Sequence, residues 1–477
     1  MSSLFLILFL LSHSLCVLVT SAGKVDDSRT LLWPLPAKFT FGNKTLSVDP
    51  ALSLVVGGSG GGSGILKLGF DRYREIIFEN SHGVLALNRL RGKRQSFDIN
   101  KLRIVVQSSN EDLQLGVDES YTLFVAKKDG KSVVGEATIE ANTVYGALRA
   151  LENVLHWHVI DREAFPLEVP SYPKLWNGAY TKWERYTVED AIEIVNFAKT
   201  RGVNVMAEVD VPGHAASWGT GYPDLWPSPS CKEPLDVSKE LSLDVISGIL
   251  TDMRKIFPFE LFHLGGDEVD TTCWSTTRHV KQWLKERNMT TKDAYQYFVV
   301  KAQEVAVSKN WSPVNWEETF DTFPTKLNPK TVVHNWLGSG VCPKAVAKGF
   351  RCIFSNQGVW YLDHLDVPWN VTYNAEPLEG ITDISQQKLV IGGEVCMWGE
   401  KADTSDVQQT IWPRAAAAAE RLWSRREATS GGKNIATALP RLQYFRCLLN
   451  RRGVQAAPVT NFYARSPPTW SGSCYDQ

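Results

Sequence analysis

Phe259-Glu260-Leu261-Phe262-His263-Leu264-Gly265-Gly266-Asp267-Glu268-Val269 begins as an apolar run, breaks at two glycines and ends in two adjacent carboxylates. The apolar run predicts a buried strand. Neighbouring side chains on a strand normally point to opposite faces. At a strand's C-terminal end, beside Gly265-Gly266, both acids can turn toward one cleft. Paired acids at a strand end are the equipment of glycoside hydrolysis, where one protonates the leaving oxygen. An isolated Asp-Glu pair more simply caps a helix, so the rest of the chain must decide.

Working outward, short apolar strands alternate with amphipathic helices from Asn153 onward. Strands are predicted at Asn153–His158, Asn204–Val209, Phe259–Leu264, Val314–Trp316, Thr331–Asn335, Arg351–Ser355 and Leu389–Cys396. Between them lie helices such as 188–201, whose Val188, Ile192, Val195 and Ala198 keep helical spacing. Thr187 supplies its N-cap and Gly202 its stop. Repeated βα units imply a parallel sheet, and one this long predicts a TIM-type (β/α)8 barrel. Only seven strands are legible, so the barrel is expected to be one short. A doubly wound open sheet is the alternative, but no glycine fingerprint follows a strand. Upstream, residues 23–152 read as a smaller α+β domain with strands at 102–106 and 121–125 and helices at 70–80 and 142–151. The division is then 1–22 signal peptide, 23–152 α+β domain, 153–455 barrel and 456–477 tail.

The 477 residues carry 51 basic and 52 acidic groups, a net charge of -1. That gives no electrostatic case for nucleic acid or an anionic membrane. Leu4–Leu11 is almost wholly apolar and Thr20-Ser21-Ala22 offers a cleavage site, so the start reads as a secretory signal, although a basic n-region is missing. The expected localisation is the secretory pathway, ending in a vacuole or outside the cell. No later segment could span a bilayer. With Cys16 in the signal, seven of the 8 cysteines remain. Candidate bridges are Cys231–Cys273 and Cys447–Cys474, leaving Cys342, Cys352 and Cys396 free. Glycosylation sequons stand at Asn43, Asn288, Asn310 and Asn370, and Pro313 weakens the one at Asn310. The run Gly57–Gly64 lacks a Lys-Ser/Thr and reads as a flexible surface loop, not a phosphate loop. The basic run 88–94 reads as a solvated face.

Function in such a barrel collects at the C-terminal strand ends. There the sequence places His158 and Asp161, Asp210 and His214, Asp267 and Glu268, Trp316-Glu317-Glu318, His334-Asn335-Trp336, Trp360 to Asp363, and Trp398 to Glu400. Acids and aromatics at nearly every rim position suit a sugar: apolar walls for ring faces, carboxylates for hydroxyls.

These stretches resemble the β-N-acetylhexosaminidase family, including its plant members. The resemblance lies in Val154–Asp161, Asp210–His214, His263–Val269, Trp360–Asp363, Gly392–Glu400 and Trp412–Arg421, in one order over nearly the whole mature chain. It implies an exo-acting hydrolase that removes terminal N-acetylglucosamine or N-acetylgalactosamine with retention, the substrate's acetamido oxygen acting as nucleophile. Glu268 would be the general acid and base, Asp267 would polarise the acetamido nitrogen, and Tyr361 would hold the acetamido oxygen. Trp316, Trp336 and Trp398 would wall the pocket, with Asp363, Glu400 and Asp161 on the substrate side. Asp210 and His214, with Asp161, would support the acids. An apolar tryptophan box and a near charge should raise the Glu268 pKa. No cofactor or metal is implied. The implied partner is an oligosaccharide or N-glycan, and the assembly a homodimer.

One departure stands out. Family members carry a further strand and helix, with a sugar-gripping arginine, before the Val154 strand. Here Ala147–Glu152 runs straight into Asn153, leaving no room for a βα unit of roughly 30 residues. Arg149 sits in the upstream helix and cannot be assumed to replace that arginine. The skipped unit implies a weakened fold or activity, so an inactive carbohydrate-binding or structural product is a second reading. A third is a metal-dependent barrel hydrolase using His156 and His158 with Asp210, His214 and Asp267. His263 and His334 read as buried, hydrogen-bonded histidines, Glu317 and Glu318 as a loop or cap pair, and Trp412–Trp423 as a packed helix with an alanine face.

Overall fold

The computed structural model describes residues 30–40, 46–78, 97–125, 134–148, 153–430 and 434–460. The signal segment, Asn43, the basic run 88–94, Arg149 and Cys474 lie outside them.

The first sheet has four strands in the order β1-β2-β4-β3: β1 (Val48–Gly57), β2 (Ile99–Val106), β3 (Tyr121–Val125) and β4 (Glu136–Ala141). Two of these, β1 and β4, the sequence did not disclose. Along β2 the buried residues are Ile99, Leu102, Ile104 and Val106. They pack on helix Gly64–Phe78, whose Leu66, Phe70, Tyr73 and Ile77 form one apolar stripe. The glycine run before that helix is a close-packed turn, not the flexible loop expected. Gly58 has φ +77°, and a Cβ there would sit 2.0 Å from the Val106 carbonyl oxygen.

The second sheet is parallel, with seven strands in sequential order: β5 (Asn153–Ile160), β6 (Val203–Val209), β7 (Leu261–His263), β8 (Ser312–Trp316), β9 (Val332–His334), β10 (Arg351–Phe354) and β11 (Val390–Gly393). It is the expected TIM-type barrel with seven strands. Helix Val188–Lys199 covers β6 from outside and begins at Thr187. The Asp190 N–H donates to the Thr187 hydroxyl at 3.1 Å, and the Thr187 N–H donates to Asp190 at 2.8 Å. Gly202 at φ +64° ends the turn after it, as read from sequence.

Among the described residues β5 pairs only with β6, and β11 only with β10. The barrel seam is therefore open in its backbone. Side chains cross it instead: His156 Nδ1 on β5 lies 2.9 and 3.1 Å from the two carboxylate oxygens of Glu394, just after β11. Val154 and Leu155 on the same edge are 43% and 46% exposed.

The disulfides are Cys231–Cys273, as expected, and Cys342–Cys352, which corrects the reading of both as free thiols. The latter joins helix Val341–Ala347 to β10 only ten residues on, a link masked in sequence by the intervening turn. Cys447 is buried in helix Ile435–Arg451. That helix packs on the alanine face of Arg414–Trp423 (Ala416, Ala417) and on Trp33. Buried Arg441 grips buried Glu420 through two hydrogen bonds of 2.7 and 2.6 Å. Ala456 and Val459 are buried against the same group. Asn288 and Asn310 are exposed in left-handed turns, and Asn370 is half-buried in helix Trp369–Asn374. No helix among the described residues is long and apolar enough to cross a membrane.

Candidate active site

Three layers build the site upward through the barrel. At its centre, strand alternation turns His156, Glu208, His263 and His334 inward, and Glu394 joins them. Glu208 is fully buried. His156 Nε2 lies 2.8 Å from it, His263 Nδ1 3.0 Å, and the Trp316 indole N–H donates to it at 3.0 Å. Burial alone would lower the His156 pKa, but the charges of Glu394 and Glu208 outweigh it and push it to about 10. Burial would likewise raise Glu394, but His156 and His334 hold it down at about 2. Burial keeps His334 neutral, at about 3. A cation flanked by two carboxylates is thus sealed inside. His263 and His334 are buried and linked at 3.1 Å, as expected.

Above this layer the β6 and β7 ends meet. The Gly266 N–H donates to Asp210 Oδ1 at 2.7 Å, and Asp210 Oδ2 lies 2.6 Å from His214 Nδ1. Gly265 has φ +60°, and a Cβ on it would fall 1.9 Å from Asp210 Oδ1, so only glycine fits. The Asn315 side-chain amide holds the Gly265 carbonyl at 3.0 Å, and the Tyr295 hydroxyl donates to the Gly266 carbonyl. This brace carries the chain into Asp267 and Glu268, the latter at φ +49°.

Both acids converge on one imidazole. His214 Nδ1 is 3.8 Å from Asp267 Oδ2, and His214 Nε2 is 3.5 Å from Glu268 Oε2. The hydrogen bond to Asp210 pushes His214 to about 9, so it is a cation at neutral pH. Burial, with Asp210 and Glu208 nearby, raises the Asp267 pKa well above the usual carboxylate range. The Asp267 side chain is 14% exposed and the Glu268 side chain 60%. Asp267 is therefore the buried member of the pair, while the flank of Glu268 is open toward a cavity of about 520 Å³. That cavity is lined by Arg162, His214, Lys232, Glu233 and the Cys231–Cys273 bridge.

The third layer is aromatic. Trp336 stacks on Tyr361 at 6.4 Å and 17°, Tyr361 meets Trp398 at 6.0 Å, and Trp398 meets Trp316 at 6.5 Å. Trp316 is 2% exposed and stacks on His334 at 4.2 Å, so it forms floor more than wall. Asp363 is buried beside this group, 3.7 Å from Lys401 Nζ. Two buried carboxylate oxygens, Asp267 Oδ1 and Asp363 Oδ1, have no hydrogen-bond partner among the described residues. Glu208 Oε2 and Glu233 Oε2 are buried in the same state.

Two expected residues lie apart. Asp161 accepts the backbone N–H groups of Glu163 and Ala164 at 2.7 and 2.9 Å, closing its own turn, and so does not touch the acids. Glu400 is exposed in the loop after Trp398. The sequence reading missed the catalytic-layer neighbour Tyr295 and the seam carboxylate Glu394, although Glu394 stands within the quoted Gly392–Glu400 stretch. Glu317 and Glu318 stand in the first turn of helix Glu317–Thr322, as a cap pair would, but they also reach across to the next strand end. Glu317 accepts the Trp336 N–H at 3.0 Å and Glu318 accepts the Trp336 indole N–H at 2.9 Å, so both bind the neighbouring strand end. Three sets of side chains have ligand atoms close enough to hold a metal: His156, Glu208 and His263; His156, His334 and Glu394; and Asp210, His214 and Asp267. The first two are the mutually paired core described above.

Residues 147–426 match the catalytic domain of glycosyl hydrolase family 20, and residues 32–154 match a region described as beta-acetyl hexosaminidase like. Beta-hexosaminidase 1 of Arabidopsis thaliana is 62% identical, over 94% of this chain and 95% of the relative. Beta-hexosaminidase 3 of the same plant is 47% identical, over 95% of each. The first alignment runs over 514 positions, more than the 477 residues of this chain, so the relative carries stretches that this chain lacks. Among solved structures, a Flavobacterium johnsoniae chitobiase superposes with TM-score 0.74 at 23% identity, over 92% of this chain and 75% of that one. An exo beta-N-acetylglucosaminidase from Vibrio harveyi superposes with TM-score 0.73 at 18% identity, over 93% and 80%. Those two likenesses establish the shared fold.

Proposed function

The chain belongs to glycosyl hydrolase family 20 and is a glycoside hydrolase of β-hexosaminidase type, and from that premise we propose how its residues cleave the substrate. A terminal N-acetylhexosamine enters with its ring over the Trp336, Tyr361 and Trp398 faces. Asp267 accepts the acetamido N–H, a hydrogen bond that favours its charged form and offsets its burial. Tyr361 donates to the acetamido oxygen, which attacks the anomeric carbon. Glu268 gives its proton to the leaving oxygen, and the departing group lies in the cavity beside it. Glu268 then takes a proton from the water that opens the cyclic intermediate, and the configuration is retained. Asp363 serves the ring hydroxyls, and Glu400 joins it from the loop after Trp398, whereas Asp161 is engaged in its own turn. Asp210 and His214 hold the acids apart in charge and place. The observation that supports this most is the convergence of Asp267 and Glu268 on His214 beside the joined Trp336–Tyr361–Trp398 rings.

The finer points belong to the same proposal. The sugar is N-acetylglucosamine or N-acetylgalactosamine on an oligosaccharide or N-glycan. Two disulfides suit an oxidising compartment, so the route is secretory, to the vacuole or the cell exterior. We place the domain division at 152/153, supported by separate apolar cores on its two sides, and take the assembly as a homodimer. Turnover of a chromogenic N-acetylglucosaminide by the parent chain and by Glu268→Gln tests the mechanism. An unchanged rate in the variant refutes it.

A further inference from the structure

We propose that Glu318 is a positioning residue for this reaction, whose carboxyl group ties the Trp336 wall to the backbone of the general acid Glu268. The inference rests on the roles given above to those two residues. Glu318 stands in the first turn of helix Glu317–Thr322, directly after β8. The adjacent carboxylates divide their work. Glu317 is buried and accepts the backbone N–H groups of Trp336 and Leu337, fixing the chain after β9. Glu318 turns toward the pocket. It accepts the Trp336 indole N–H at 2.9 Å, turns back on its own backbone N–H, and lies near the backbone N–H of Glu268.

The approach to Glu268 matters because that residue sits at φ +49°. A residue with a long side chain holds a left-handed conformation only when its surroundings enforce it. On one side Gly265 and Gly266 are pinned by Asp210, Asn315 and Tyr295. Glu318 approaches the Glu268 backbone from the other side. One carboxyl group therefore sets both the angle at which the acid leaves the strand end and the plane of an indole that stacks on Tyr361. Glu318 also acts electrostatically on Asp267 and on the Tyr295 hydroxyl. Burial pushes its carboxyl up to about 7, which limits the negative charge it adds beside Asp267 in mildly acidic solution.

Glu318→Ala and Glu318→Gln in the full chain test the proposal with a chromogenic N-acetylglucosaminide. Loss of positioning should lower kcat in the alanine variant by roughly ten- to a hundredfold, with a smaller change in KM. Glutamine keeps an acceptor oxygen for the N–H donors and should recover most of that loss. A role in stability alone would lower the folded fraction without this rescue, and thermal unfolding of both variants measures that fraction. An alanine variant that is folded and as fast as the parent overturns the proposal, as does a glutamine variant as slow as alanine. Tryptophan fluorescence during titration with N-acetylglucosamine gives an independent reading. Weaker binding by Glu318→Ala than by the parent supports the tie to Trp336, and equal binding overturns it. A parent chain that binds the sugar but never turns over a glycoside refutes the hydrolytic reading, while the titration still judges Glu318.

Discussion

The two flanks of the site differ sharply. On the β8–β10 side every strand end is paired, Trp316 and Tyr361 are buried, and the carboxylates of Glu317 and Glu318 brace the next strand end. On the β5–β11 side no backbone bond closes the sheet among the described residues, and Val154 and Leu155 meet solvent. Ladder hydrogen bonds and cross-strand packing hold the first flank. The second relies on the His156–Glu394 contact. A barrel can thus keep a binding wall in place while its seam is joined only by side chains, provided that the charges in the seam are balanced.

The largest expected effect lies where the flanks meet. Glu268→Gln removes the proposed proton donor and should lower kcat by about 10²–10⁴-fold. Trp336→Ala on the closed flank should instead raise KM more than it lowers kcat, because it removes contact with the ground state as well. Steady-state kinetics of both variants would break the comparison if their patterns were reversed. Next comes the seam. Glu394→Ala leaves the buried His156 cation with one carboxylate fewer, and should cost about 3–5 kcal/mol in urea unfolding. A change well below 1 kcal/mol would show that the seam is held in some other way.

A pH series should give a moderate effect. His214 is raised from 6.5 to about 9, so its contribution to stability is complete below 6.5 and lost as pH rises through 9. Glu318 is raised from 4.5 to about 7; folding favours its neutral form, so that contribution is complete below 4.5 and fades as pH rises through 7. Glu394 is lowered from 4.5 to about 2 and contributes above 4.5, fading as pH falls through 2. Below 6.5 the neutral His334, lowered to about 3, gains stability as pH rises and opposes Glu318, so the thermal midpoint should decline from pH 7 to pH 9. A midpoint that rises across that range would contradict these assignments. The smallest effect concerns the free edge. Leu155→Lys should change stability by no more than about 0.5 kcal/mol yet reduce self-association in light scattering, since a lysine on an edge strand discourages strand pairing.

Much of the architecture was legible because a buried parallel strand advertises itself as an apolar run, and its functional end as an acid or aromatic beside glycine. Asp267 carries that mark beside Gly266, whereas Asp210 and Tyr361 were read from their strand-end position and the family resemblance. The contacts that cross the barrel were not. His156 and Glu394 stand 238 residues apart, and nothing local to either specifies the other. Glu318 looked like a helix cap because its chain neighbours suit one; its acceptor role depends on Trp336 and Glu268 arriving from other strands. The strands β1 and β4 escaped notice because β1 includes Asp49 and Pro50, and β4 carries Glu136 and Glu140 among its six residues. The missed Cys342–Cys352 bridge followed from pairing cysteines by position alone, when the turn between helix and strand decides which sulfurs meet.

The backbone twist at position 268 carries an evolutionary corollary. Asparagine tolerates that conformation better than glutamate. Glu268→Asn should therefore give a molecule that has lost its chemistry but endures heat somewhat better than its parent. Descendants that drift toward silence at this position would meet no folding barrier, and selection for turnover alone keeps the less comfortable residue in place.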